Sequence, residues 1–324
     1  MQLRGIGGSG LEVSIVGLGC NNFGRRIDAA ATRSVVHAAL DAGINFFDTA
    51  DVYGKGESEE FLGRALGGHR HDVVVATKFA SPMGETVGRS GASRKWILRA
   101  VEDSLRRLGT DYIDLYQQHR FDVETPMSET LSALDELVAG GKVRYVGSSN
   151  FAAWQVADAH WVAKSTQRTP FVSVQNEYSL LNRDVEGELV PACNAFGLGV
   201  IPYSPLAGGF LTGKYRRGAT APKGSRLASG PASHRWLADA NFDRLDALEE
   251  VARTAGRSML DLAIGWLASQ PHVVSVIAGA TSAVQVRANA AAGEWILDAA
   301  ELAQVDAIAP PPTPPNRPLK RRST

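Results

Sequence analysis

Cysteine is nearly absent: Cys20 and Cys193 are the only two in 324 residues. That excludes a disulfide framework and makes a reducing, cytoplasmic setting the expectation. No run approaches the roughly 20 apolar residues that span a bilayer, and the opening MQLRGIGGSG carries no apolar signal core. An excess of either charge is missing too, with 34 basic and 34 acidic residues. Four of the basic ones stand beyond Pro315, leaving 30 in the body, and this mildly acidic body argues against nucleic acid as a partner. His37, His69, His71, His160, His234 and His272 form no metal-ligand spacing, so no metal is expected. There is no repeat with a period of about 20–50 residues. No Gly-x-Gly-x-x-Gly turn follows the first apolar strand, which weighs against a doubly wound dinucleotide-binding sheet.

What is present is an alternation. Hydrophobic residues make up 44% and charged residues 21%, the profile of a soluble globular enzyme. Residues 2–14 read as a hairpin about Gly7-Gly8-Ser9-Gly10. Apolar strands follow at 13–19, 44–48, 72–78, 112–119, 143–148, 171–176, 198–204 and 273–278. Helical spacing fills 29–42, 57–66, 93–108 (with Ser93 as N-cap), 128–139, 152–163, 184–195, 243–255, 258–269 and 282–292. Eight strands, each followed by a helix, imply a parallel sheet covered by helices, and at this length a closed (β/α)8 TIM barrel. The expected organisation is one barrel domain over 1–309 and a Pro-rich, basic tail over 310–324. A Gly-, Ser- and Arg-rich passage at 206–241 interrupts the rhythm after strand seven, and a loop of that length is usually functional.

In such barrels chemistry sits where strands end. The stretch Ile44–Gly54, INFFDTADVYG, ends its strand in Asp48 and brings Tyr53 into the loop. Later strand ends supply Lys78, His119, Ser149 with Asn150, Gln175, and Tyr203 with Ser204; the last leads into Gly279 and Thr281. A tyrosine holds its proton at neutral pH, and a nearby ammonium eases its release. Lys78 can be that ammonium, Asp48 its counter-charge, and His119 a group that orients a carbonyl oxygen. Such a set suits protonating an oxygen as hydride reaches a carbonyl carbon, and hydride needs a cofactor. Asp51 finds no partner in this constellation and reads as a loop residue. Each residue alone has a plainer reading, such as a turn-capping Asp48, a snorkelling Lys78 or a structural His119. Their sequence at successive strand ends favours the catalytic one.

These motifs resemble the aldo-keto reductases, from about Leu3 to about Ala292. The family's DTA-x-x-YG segment is matched by Asp48 and Tyr53, its lysine by Lys78 in VVVATKF, and its histidine by His119 in YIDLYQQHRFD. The resemblance implies that Ser149 and Asn150 of GSSNF, with Gln175 of VQNEY, hold the nicotinamide carboxamide. It implies that Tyr203 in the Tyr203–Leu206 segment stacks on the ring, with Ser204 beside it. In the branch carrying PLAGGFLTGKY-type sequences, Leu206, Gly208, Leu211 and Lys214 match the pyrophosphate side. Arg226 matches an arginine that meets the 2′-phosphate of NADPH. Gly279, Thr281, Gln285 and Asn289 match the adenosine end. A substrate pocket placed by position alone takes Asn22, Phe23, Phe79, Phe121 and parts of the 80–92 loop.

Three departures stand out. Cys20-Asn21-Asn22 occupies places that many relatives give to Thr-Trp or Thr-Met. Gly279 and Gln285 stand where some subfamilies put the basic residues that read the 2′-phosphate, leaving that task to Lys214 and Arg226. Ala288 replaces a common Glu before Asn289. The implied activity is NADPH-dependent, reversible reduction of a small-molecule aldehyde or ketone. Two rivals are a regulatory NADP-sensing subunit, as in the potassium-channel β subunits of this family, and a barrel lyase or isomerase without a nicotinamide.

Overall fold

A computed structural model describes residues 1–85, 88–228 and 231–313; the basic tail beyond Thr313 lies outside the described residues. The chain runs β1 (Leu3–Gly5), β2 (Glu12–Ser14), β3 (Val16–Gly19), α1 (Ala29–Asp41), β4 (Phe46–Asp48), α2 (Glu57–Leu66), β5 (Val74–Phe79), α3 (Arg94–Leu108) and β6 (Ile113–Gln118). It continues through α4 (Met127–Ala139), β7 (Val143–Ser149), α5 (Ala153–Thr166), β8 (Ser173–Glu177), α6 (Leu189–Phe196) and β9 (Gly199–Tyr203). The last elements are α7 (Pro231–Trp236), α8 (Asp239–Thr254), α9 (Met259–Ala268), β10 (Val276–Gly279), α10 (Ala283–Ala292) and α11 (Ala299–Ile308). Strands β3 to β10 close into an eight-stranded parallel barrel in which β10 pairs with both β9 and β3. The (β/α)8 expectation is met.

Two apolar layers hold it. Alternate strand residues point inward, so Phe46, Val74, Ala76, Leu115, Ile201 and Ile277 fill the barrel. Gly17 makes room for them, since a Cβ there would sit 2.6 Å from Ile277 and 3.0 Å from Phe46. The other faces meet the helices in a larger cluster that includes Val75, Phe79, Tyr116, Val146 and Val174. The hairpin β1–β2 closes the floor. Ile6 and Val13 enter the inner cluster, and Arg4 donates to the carbonyls of Ala268 (2.6 Å), Gln270 (3.3 Å) and Val273 (2.8 Å).

Helix starts follow side-chain chemistry. Ser93, the expected cap, accepts from Trp96 N, and Asp28, Ser258, Ser282 and Asp298 do the same for α1, α9, α10 and α11. The structure departs from the sequence reading in four places. The expected strand 13–19 divides between the hairpin and the barrel. The expected helix 184–195 is a 3-10 turn at Asp184–Glu186 and then α6. Pro191 has no amide hydrogen to donate and so belongs in the first turn of α6. Helix α11, started by a reciprocal Asp298–Glu301 cap, lies where no helix was expected. The passage 206–241, read as a loop, contains α7 at Pro231–Trp236.

Candidate active site

The inward alternation that places Phe46 in the core carries β4 two residues further to Asp48, at the barrel mouth. Lys78 reaches the same height on β5, level with Gln117 of β6. Lys78 is fully buried, with Nζ donating to Asp48 Oδ2 at 2.6 Å and to the Thr49 carbonyl at 2.8 Å. Asp48 Oδ1 accepts from Gln175 Nε2 at 2.7 Å and Gln117 Nε2 at 3.1 Å. The carboxylate thus has a counter-ion and two amide donors, the conditions under which a buried charge is tolerated.

Tyr53 stands above this pair. Its loop turns sharply through Gly54 (φ 57°), where a Cβ would lie 2.9 Å from the Phe23 carbonyl. Lys78 Nζ is 5.1 Å from the Tyr53 ring centroid, and the His119 ring meets Tyr53 edge-on at 5.8 Å. Burial pushes the Tyr53 hydroxyl above the ordinary phenol range, and the Lys78 ammonium pulls against it without overcoming it. Lys78 therefore moderates the phenol rather than setting a low value for it. Burial also opposes the Lys78 charge, but the Asp48 carboxylate, with Tyr53, holds the ammonium above its usual range. Burial, then Lys78 and Arg120, push His119 down to about 3. Its imidazole is neutral near pH 7 and serves as a hydrogen-bonding group, not a cation.

Asn150 joins three strand ends. It sits at φ 59°, a region that asparagine tolerates. Its Nδ2 donates to the His119 carbonyl (3.1 Å) and Ser149 Oγ (3.0 Å), and its Oδ1 accepts from the Tyr203 hydroxyl at 2.7 Å. Ser149 Oγ donates to the Gln175 carbonyl.

A cavity of about 430 Å³ opens from this floor and extends under the loop after β9. Of the sequence-predicted residues, Asp48, Tyr53, Gln175, Tyr203, Ser204, Leu206, Gly208, Lys214 and Arg226 line it. So do Asn22, Gly279, Thr281, Gln285 and Asn289. Lys78, Ser149 and Leu211 are buried and off that wall, while His119 and Asn150 are off it too but touch wall residues, His119 the Tyr53 ring and Asn150 the Tyr203 hydroxyl. Phe23 and Phe79 are fully buried in the outer core, and Phe121 packs edge-on against Phe151 and Trp154. The structure thus brings Asn22 to the cavity but not these three rings.

Three contributors were missed in the sequence. Gln117 holds Asp48 and could have been found by counting inward by twos from Leu115. Arg26 lines the cavity and donates to the Gly224 carbonyl at 2.6 Å; the Arg25-Arg26 pair just after the first strand was its signal. Ser225 Oγ, also on the wall, is buried without a partner, and nothing in the sequence marked it. Arg226 donates to Asn22 Oδ1 at 3.0 Å, and Asn22 Nδ2 to the Ala280 carbonyl at 3.2 Å. Burial and the nearby Arg26 and Arg25 all lower the Arg226 pKa. Among the described residues no ion pair neutralises Lys214, Arg26 or Arg226, so this end of the cavity suits an anion.

The model of the aldo/keto reductase family matches residues 15–310. The chain belongs to that family. This aldo/keto reductase is 39% identical over 297 residues to a probable voltage-gated potassium channel subunit beta of Oryza sativa subsp. japonica, covering 89% of this chain and 90% of that one. It is 36% identical over 320 residues to the L-glyceraldehyde 3-phosphate reductase of Escherichia coli (strain K12), covering 94% and 92%. It is 34% identical over 303 residues to the versiconal hemiacetal acetate reductase of Aspergillus parasiticus, covering 86% and 88%. The aldo/keto reductase is an oxidoreductase of carbonyl groups, acts on small molecules and belongs to a family that draws on NAD(P)H. Among the described residues no helix is long and apolar enough to cross a membrane.

Proposed function

We propose that the enzyme reduces an aldehyde or ketone to the alcohol with NADPH, and that Tyr53 gives the proton. The observation that carries this reading is the wholly buried Lys78 ammonium, clamped by Asp48 beneath the Tyr53 ring at the barrel mouth. A bound nicotinamide supplies hydride to the carbonyl carbon. Tyr53 hydrogen-bonds the carbonyl oxygen and releases its proton to it as negative charge grows there. Lys78 stabilises the resulting phenolate, Asp48 keeps Lys78 charged, and neutral His119 orients the oxygen.

The residues present fit the cofactor. Ser149, Asn150 and Gln175 offer amide and hydroxyl groups for a carboxamide, and Tyr203 offers a ring face. Gly208 (φ 70°) and Gly209 (φ 93°) give the wall a stretch of left-handed backbone without side chains. Lys214, Arg226 and the orphaned Ser225 hydroxyl would take phosphate oxygens, and Gln285 and Asn289 the adenosine. Three cations on one wall without an ion pair among the described residues, Lys214, Arg26 and Arg226, favour NADPH over NADH.

A steady-state screen of aldehydes, ketones and sugars with both cofactors tests the substrate class and the NADPH preference. Tyr53→Phe is expected to retain NADPH binding, read by fluorescence quenching, and to lose turnover by about a hundredfold or more. Unchanged turnover in that variant removes Tyr53 as the acid. The rice potassium channel relative favours a second reading, an NADP-sensing regulatory subunit. Slow turnover across the whole panel with tightly retained cofactor would select it.

A further inference from the structure

Asp51 was set aside in the sequence as a loop residue, and the structure gives it an unusual place. It is 1% exposed, and neither carboxyl oxygen has a hydrogen-bond donor. Its backbone is fixed by an amide donated to the Lys78 carbonyl at 3.2 Å, two residues before Tyr53. Its side chain lies in the layer between barrel and helices. The groups around it are Glu59 of α2, Arg107 of α3, Lys78 of β5 and Tyr116 of β6, with Asp103 on α3 close to Tyr116.

The two cations are already committed. Arg107 Nε donates to Glu59 Oε2 at 2.6 Å, while Thr77 Oγ1 donates to Glu59 Oε1 at 2.5 Å. Lys78 is held by Asp48. The Tyr116 hydroxyl is fully buried and also unpartnered. A charged Asp51 would be a desolvated anion with no side-chain donor, its nearest amide (Val52) making no proper hydrogen bond, beside a second carboxylate. A neutral carboxylic acid in the same place costs far less.

We propose that Asp51 is a positioning residue: a neutral acid packed under the Tyr53 loop, whose ionisation in mildly alkaline solution forces the loop to seek water and displaces Tyr53 from Lys78. This rests on Tyr53 being the proton donor. Burial and Glu59 push Asp51 up to about 8, against smaller opposing pulls from Arg107, the Val52 amide and Lys78. Tyr53 is itself raised above the ordinary phenol range, so an activity loss beginning near pH 8 is not its own titration.

An unfolded chain loses this proton in the ordinary carboxyl range, and the folded chain only near 8. Between the two, folding retains a proton that unfolding releases, so stability falls as pH rises to about 8 and then levels off.

The experiment is a pH series of turnover and melting temperature for the wild type, Asp51→Asn and Glu59→Gln. Wild-type kcat is expected to fall above about pH 8, by about tenfold per further unit. Asp51→Asn keeps the shape of the neutral acid with no proton to lose. It should retain turnover in mildly acidic solution, lose the alkaline fall, and gain more melting temperature over the wild type at alkaline than at acidic pH. Glu59→Gln releases Arg107 to stabilise the Asp51 anion and should move the midpoint toward acid. A wild type without an alkaline fall, or an Asp51→Asn variant that keeps it at the same midpoint, overturns the proposal. If Asp51→Asn does not fold, an unmoved midpoint in Glu59→Gln does so. The melting series is independent of the proton donor, so an active Tyr53→Phe would defeat that assignment while leaving Asp51's ionisation open to measurement.

Discussion

Lys78 carries a positive charge where no water reaches it, and Asp48 is what keeps it there. Breaking a buried pair from one side strands the other charge and costs about 3–5 kcal/mol. Lys78→Met is therefore expected to lower the melting temperature and abolish turnover. Adding Asp48→Asn should restore much of the stability, because no unmatched charge remains, while turnover stays lost. Thermal melts and a turnover assay on the two variants separate the structural from the chemical part of the pair. The candidate set was legible in the sequence because Asp48, Lys78 and His119 stand at the ends of strands that apolar residues announce, with Tyr53 in the loop after the first of them. Asp51 was not legible. Its position is polar by rule, and only the packing of α2 and α3 over the loop takes it out of water. Arg26 escaped for a related reason: its acceptor, the Gly224 carbonyl, comes from a loop 198 residues away in the chain.

At the scale of elements, periodicity and capping residues located most helices, and the misses have local causes. Pro191 delays α6, and the cap at Asp298 opens a helix that weak apolar spacing concealed. Gly63 shows packing overriding propensity. In mid-helix, glycine is about 1 kcal/mol worse than alanine, so Gly63→Ala in α2 would ordinarily stabilise. Here its Cβ would stand 2.1 Å from the Leu108 carbonyl oxygen at the end of α3. Backbone must move to admit it, and the expected outcome is a loss of about 2 kcal/mol or more, measured by denaturant unfolding. The same helix contact bears on Glu59 and Arg107, so part of the activity should go with it.

The whole molecule separates its two ends. The candidate site occupies the barrel mouth, and the hairpin seals the floor. Arg4 spans the seal with three carbonyls, and hydrogen bonds from a charged donor contribute about 1.5–3 kcal/mol each at most. Arg4→Ala is expected to cost about 2 kcal/mol and to leave kcat and cofactor affinity unchanged at room temperature, which a melt beside a steady-state assay would check. A fall in kcat without a fall in stability would mean that floor and mouth are coupled. The same seal dictates when the protein can be born. Residue 4 waits for residues 268–273, and β3 waits for β10. A nascent chain halted before Ala268 has two open sheet edges and no acceptors for the Arg4 guanidinium. Until the last strand leaves the ribosome, Ile6 and Val13 have no complete core to enter, and the growing chain depends on chaperones or speed to stay out of aggregates.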